Sequence, residues 1–185
     1  IEIDPNCAVG ILEEFKEKYP DLNVTASFFL GTNIFGQEKY KEYKLKFLIN
    51  NGYDIGNHTH SHNRMANQNK DEIIFELGSI NNIINSYLPD YKVETLALPE
   101  GSNPKDEFLN DAVEGEFEGN EYKHVAVLDV GWRPAFSPFD TDNDFTNLYR
   151  VTASEINVDG CGITDYFKQY SNGKRNIFIS DGNPD

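Results

Sequence analysis

The chain has 185 residues, 16 Lys and Arg against 31 Asp and Glu, and a formal charge of -15. A field of that sign repels phosphate backbones and anionic lipid, which argues against nucleic acid as a partner and leaves neutral or cationic ligands such as sugars. No apolar stretch approaches the ~18 residues of a membrane helix, so there is no transmembrane segment. With 38% hydrophobic residues, residues 1–185 read as one folded domain.

In chain order, Ala8, Leu12, Phe15 and Tyr19 recur at helical spacing, and Pro20 stops that helix. Val24 to Leu30 is rich in β-branched and aromatic residues and reads as a buried strand. Tyr40, Tyr43 and Phe47 mark a second helix, closed by Asn51-Gly52, and Asp54 to Asn57 a short strand. A third helix runs from Asp71 to Leu88, with Ile73, Leu77, Ile80, Ile84 and Tyr87 along one face and Pro89 at its end. Strands are expected at Glu94 to Leu98, His124 to Leu128, Leu148 to Val151 and Asn176 to Ser180. Between them lie a loop-rich stretch from Gly101 to Lys123, with an acidic, solvated run at Glu114 to Glu118, and a short helix near Ile163 to Tyr170. Strands alternating with helices predict an α/β fold with a largely parallel sheet, whose chemistry collects at the C-terminal ends of the strands. Cys7 and Cys161 match no metal-binding or redox spacing.

Three of the four histidines fall within five residues, in Asn57-His58-Thr59-His60-Ser61-His62. His58 and His62, four apart, are expected on one face of a helical turn, where two imidazoles can meet one ion, and imidazole suits zinc and similar first-row metals. A catalytic site of that kind wants about three protein ligands and an open position, so an Asp or Glu would have to join them. The same pattern, taken bare, is also that of a polar surface loop.

The run Thr25 to Leu30, the helix after it, and Asn51-Gly52-Tyr53-Asp54-Ile55-Gly56-Asn57 leading into the histidines together resemble the polysaccharide deacetylases of the NodB-homology type, family four of the carbohydrate esterases. The resemblance implies a distorted (β/α) barrel and metal-assisted removal of acetyl groups from N-acetylated amino-sugar polymers. It makes His58 and His62 the metal ligands and Thr59 the residue whose hydroxyl steadies the loop. His60 falls on a variable position and should point away. The implied cofactor is a divalent metal, zinc in the first place, with cobalt or nickel as alternatives. The implied partner is a polysaccharide, and the implied location is extracellular or at the cell surface.

Other motifs of the resemblance are altered. An Asp-Asp-Gly motif on the first strand, source of the base and the third metal ligand, has no counterpart, and it is expected upstream of Ile1 together with that strand. Ala97-Leu98-Pro99-Glu100-Gly101 stands where an Arg-x-Pro-Tyr-Gly motif belongs. Pro99 and Gly101 are kept as substrate-site candidates, while the Arg and the Tyr are replaced. Asp129-Val130-Gly131-Trp132-Arg133 echoes a fourth motif, with Trp132 a candidate sugar platform. Ile177 to Asp181 stands where a histidine acid is expected. Asp129 and Asp181 are the carboxylates left as catalytic candidates, and His124 is expected to be structural. Two functions follow: a metal-dependent deacetylase, or a carbohydrate-binding or cell-surface module on the same fold that has lost catalysis.

Overall fold

The computed structural model describes residues 2–131, 133–156 and 158–176. Trp132, Asp181 and the strand expected past residue 176 lie outside the described residues.

Helix α1 (Ala8–Lys18) leads into strand β1 (Ser27–Leu30), helix α2 (Lys41–Asn50) into β2 (Asp54–Asn57), and the long helix α3 (Lys70–Tyr87) into β3 (Thr95–Ala97). Helix α4 (Leu109–Val113), β4 (Glu114–Phe117), β5 (Asn120–Lys123), β6 (Ala126–Leu128) and α5 (Ile163–Ser171) follow. Strands β1, β2, β3 and β6 form one parallel sheet in that order, and β4–β5 is a separate antiparallel hairpin. The expected mixed α/β architecture with a parallel sheet is therefore present. The strand expected at Leu148 to Val151 is reduced to a ladder beside β6: Leu148 N donates to Val127 O at 2.9 Å and Asp129 N to Leu148 O at 2.8 Å.

Alternation along β2 divides the sheet into two faces. Ile55 and Asn57 face the helices, where Leu45 and Leu48 of α2 and Ile80 and Ile84 of α3 close one core cluster. Ile73 and Leu77 of α3 close a second over Leu96, Leu98 and Val127. Each fully buried Leu or Ile in these clusters contributes about 1.5–3 kcal/mol. The opposite face carries Phe29, Gly56 and Thr95, packed so closely that a Cβ on Gly56 would overlap both neighbours. His58 continues that face past the end of β2.

Ile73, Leu77, Ile80 and Ile84 of the α3 stripe are buried as its periodicity predicts, with Tyr87 at its end only partly covered. The helix opens on a capping box in which Asn69 accepts from Glu72 N at 3.1 Å and Asn69 N donates to Glu72 Oε2 at 2.8 Å. Three expectations need correction. The stripe of α1 does not stay buried to its end: Val9 and Leu12 pack on the core, while Phe15 and Tyr19 pair with each other at the surface. In α2 the buried positions are Leu45 and Leu48, with Tyr43 exposed; the aromatic spacing locates the helix but not its inner side. Residues 101–123 are not mainly loop, since they hold α4 and the β4–β5 hairpin. That hairpin turns at Glu118 and Gly119, both with positive φ, the pattern of a two-residue hairpin turn. Its acidic side chains hide strands whose inward residues include the buried Tyr122.

Candidate metal and substrate site

His58 leaves the C-terminal end of β2 with its backbone N–H on Leu30 O at 2.9 Å, so the β1–β2 ladder itself fixes where the loop begins. Its ring Nδ1 lies 2.7 Å from Ala97 O, the last residue of β3. A carbonyl can only accept, so Nδ1 carries the proton and Nε2 is left with its lone pair free, the tautomer that a metal-binding histidine needs. Burial pushes the ring's pKa below the ordinary histidine value. The bond to Ala97 opposes that shift, and the charges of His62 and Arg150 add to it.

The loop then turns sharply. Thr59 and His62 both adopt left-handed backbone conformations, with φ of 65° and 57°, which a β-branched residue such as threonine rarely does. Local hydrogen bonds offset the cost. Thr59 N donates to Asn57 Oδ1 at 2.8 Å, and the buried Thr59 hydroxyl accepts from His62 N at 3.2 Å. The double turn brings the His62 ring back to His58, edge to face, with centroids 4.8 Å apart. The structure thus brings together the two histidines that their spacing singles out, and the Thr59 hydroxyl bonds the loop.

His60 turns the other way. Its Nδ1 is 3.0 Å from Ser79 Oγ and its ring packs 4.8 Å from Phe75, both on α3. Two further anchors reach α3. Ser61 N donates to Glu76 Oε2 at 2.8 Å, and the Ser61 hydroxyl donates to the same carboxylate. Asn57 Nδ2 donates to Leu77 O at 2.9 Å and to Asn81 Oδ1 at 2.8 Å. Sequence reasoning missed Glu76 and Asn81. Their places beside the apolar stripe of α3 were the available signal, because a polar residue flanking such a stripe faces the sheet edge.

Pro99 is buried in the turn after β3, and Glu100 and Gly101 follow it with φ of 53° and 62°. A Cβ on Gly101 would overlap the Asp129 carboxylate and Val130, so this pair contributes backbone shape to the strand ends. Glu100, in the place of the expected Tyr, points to Arg64 at 3.6 Å. Asp129 Oδ1 accepts from Val130 N at 2.6 Å, and its backbone oxygen accepts from Arg150 Nε at 2.8 Å. Arg150, also missed, stands at the strand ends, with its pKa lowered by burial and supported by the Asp129 charge. His124 is buried away from the site, its Nδ1 2.8 Å from Ala112 O, as a structural histidine should be.

As a metal ligand, His58 fits a divalent ion in its tautomer, and the His62 ring lies beside it as a second imidazole. No set of three His, Cys, Asp or Glu side chains gathers for one among the described residues. The histidine pair lies at the C-terminal end of β2, in the parallel sheet of an α/β scaffold. The chain belongs to the polysaccharide deacetylase family, which it matches over residues 17–117. Among solved structures it is similar to a CE4-family pseudoenzyme from Bacillus anthracis, at 27% identity over 58% of this chain and 36% of that one, with a TM-score of 0.45. A family 4 acetyl xylan esterase from Clostridium thermocellum, in complex with a cobalt ion, is 18% identical over 74% and 60% of the two chains, with a TM-score of 0.47. A deacetylase from Streptococcus pyogenes, in complex with acetate, has a TM-score of 0.55 at 15% identity over 77% and 58%, and shares the fold. The chain therefore spans between about a third and three fifths of the length of these relatives. No curated protein matches it.

Proposed function

We propose that the chain carries the histidine half of a metal-dependent deacetylase acting on N-acetylated amino-sugar polymers outside the cell or at its surface. The observation that carries this reading is the His58–Ala97 bond, which leaves Nε2 free beside the His62 ring. A bound zinc ion, or cobalt or nickel in its place, would polarise the acetyl carbonyl and acidify a water. The residues of this chain do the rest of the positioning. Thr59 and Asn57 hold the loop in its double turn, the Ala97 carbonyl keeps the His58 proton on Nδ1, and the Arg150 guanidinium supplies positive charge near His58.

A second reading, a carbohydrate-binding or cell-surface module without catalysis, is favoured by Ala97 and Glu100 standing where the resemblance implies Arg and Tyr. Cobalt absorption spectroscopy and acetate release from N-acetylglucosamine oligomers separate the two. Under the first reading cobalt binds, His58→Ala and His62→Ala each weaken it by at least about tenfold, His60→Ala does not, and any acetate release follows the same pattern. Cobalt binding with no acetate release from a form of the protein that also carries an Asp-Asp-Gly segment selects the second reading. Cobalt binding that survives both substitutions removes the metal site altogether.

A further inference from the structure

The loop that presents His58 and His62 has another side. Beyond His62 the chain passes through Asn63 and Gln68 and closes against the first turns of α3. This leaves a cleft of about 440 Å³, lined by Asn63, Arg64, Asn67, Gln68, Phe75 and Glu76 among others. That volume lies in the range of small-ligand sites.

The charges at this cleft are already engaged. Glu76 accepts both bonds from Ser61, Glu72 caps α3 through Asn69 N, and Arg64 faces Glu100. What remains to meet a ligand is neutral. Phe75 is 42% exposed and forms the middle of an aromatic row, 4.8 Å from His60 and 5.8 Å from Phe117. Gln68 is only 7% exposed, yet its carbonyl oxygen has no hydrogen-bond partner among the described residues. A buried acceptor left open costs about 1–3 kcal/mol, which a ligand donor would recover. The Asn67 side chain makes no hydrogen bond among the described residues, and Asn63 spends only its amide N–H on Ser61 Oγ, at 2.8 Å. A flat apolar ring beside uncharged amides suits a pyranose, whose C–H face stacks while its hydroxyl or acetamido groups bond at the edge. An ion would find no uncommitted opposite charge here, and a hydrocarbon would strand the amides.

We propose that this cleft is a secondary subsite that holds one pyranose ring of the polymer, stacked on Phe75 and hydrogen-bonded by Asn67 and Gln68. It rests on the reading of the chain as a protein that acts on polysaccharide. The polymer would then cross the histidine loop, with one sugar over His58 and His62 and another beyond Asn63. The loop that holds the metal would also set the spacing between reacting and anchoring sugars.

The test is a titration of the 15N-labelled chain with N-acetylglucosamine oligomers of increasing length, followed by NMR. The side-chain amide signals of Asn67 and Gln68 should shift, and affinity should rise with oligomer length. Asn67→Ala and Phe75→Leu, the latter chosen to keep apolar bulk on α3, should each weaken binding roughly three- to tenfold. His58→Ala should leave the Asn67 and Gln68 shifts in place. Shifts confined to the surroundings of His58 and Ala97, an affinity indifferent to Phe75→Leu and Asn67→Ala, or no shift at all would each overturn the subsite. Metal binding through His58 and His62 in a chain whose cleft takes no sugar would sink the subsite and spare the deacetylase. A cleft that takes sugar in a chain without metal or acetate release would do the reverse.

Discussion

Asn57 and Asn81 are locked side chain to side chain at 2.8 Å, joining the last residue of a strand to the middle of the helix packed behind it. The bond also settles which way the Asn57 amide points. Its nitrogen faces two acceptors, Leu77 O and Asn81 Oδ1, while its oxygen takes the Thr59 N–H.

Asn57→Asp should therefore be worse than Asn57→Ala. Alanine loses three hydrogen bonds and should cost about 2–3 kcal/mol, whereas a buried carboxylate would confront two oxygen atoms and cost more than about 3 kcal/mol. Burial among acceptors raises the pKa of that carboxyl in the folded state, so the Asp variant should regain stability as the pH falls and the group protonates. Urea denaturation at two pH values reads both effects, and an Asp variant as stable as wild type at pH 7 would contradict the assignment.

Glu76→Ala should loosen the histidine loop without disturbing the sheet. The Ser61 N–H and hydroxyl lose their shared acceptor, a cost of about 1–3 kcal/mol. Cobalt affinity should fall by about 10–100-fold, as it does when groups supporting metal ligands are removed. Hydrogen exchange should quicken at residues 59–63 and stay slow in β1 and β2.

Much of this was legible in the chain and some was not. The α3 stripe and the strand at Asp54 to Asn57 follow from spacing, because periodicity of apolar groups survives into the fold. His58 and His62 do meet, but through a double turn with left-handed Thr59 and His62 and not on one face of a helical turn. The inner faces of α1 and α2 do not follow, since an aromatic at a helix edge keeps the same spacing whether or not it is covered. The hairpin at 114–123 was hidden by its glutamates, although Gly119 between Phe117 and Tyr122 marked a turn. Glu76 was half legible, since its place beside the α3 stripe showed but its partner Ser61 did not. Arg150 was illegible: its role depends on which loop the tertiary fold lays beside it.

Gly78→Ala offers a sign test. In an exposed helix it would stabilise by up to about 1 kcal/mol. Here a Cβ would overlap the Phe117 side chain from the hairpin. Overpacking of about 1–3 kcal/mol should win, giving a net loss in thermal or urea denaturation. A gain would mean that β4–β5 does not rest on α3.

His124 should make the fold acid-sensitive. Burial pushes its pKa down to about 4, with the Ala112 bond opposing the shift. The unfolded chain therefore binds a proton near pH 6.5 that the folded chain refuses. Its contribution is complete above about pH 6.5 and is lost as the pH falls toward 4, by up to about 3 kcal/mol. His124→Gln keeps a donor for Ala112 O without a titrating group, so its stability curve should be flatter across that window. Parallel curves for the two proteins would refute the assignment.

His60, Ser61 and Asn57 are all moored to one element, at Ser79, Glu76, and Leu77 with Asn81 of α3. The gap between the two site imidazoles, by contrast, is set inside the loop by Thr59 and its neighbours. Because the sheet holds the His58 end still, at Leu30 O and Ala97 O, any tilt or slide of that helix would reach the loop from one side only and act as a torque on its tight turn rather than as a shift of the imidazole pair.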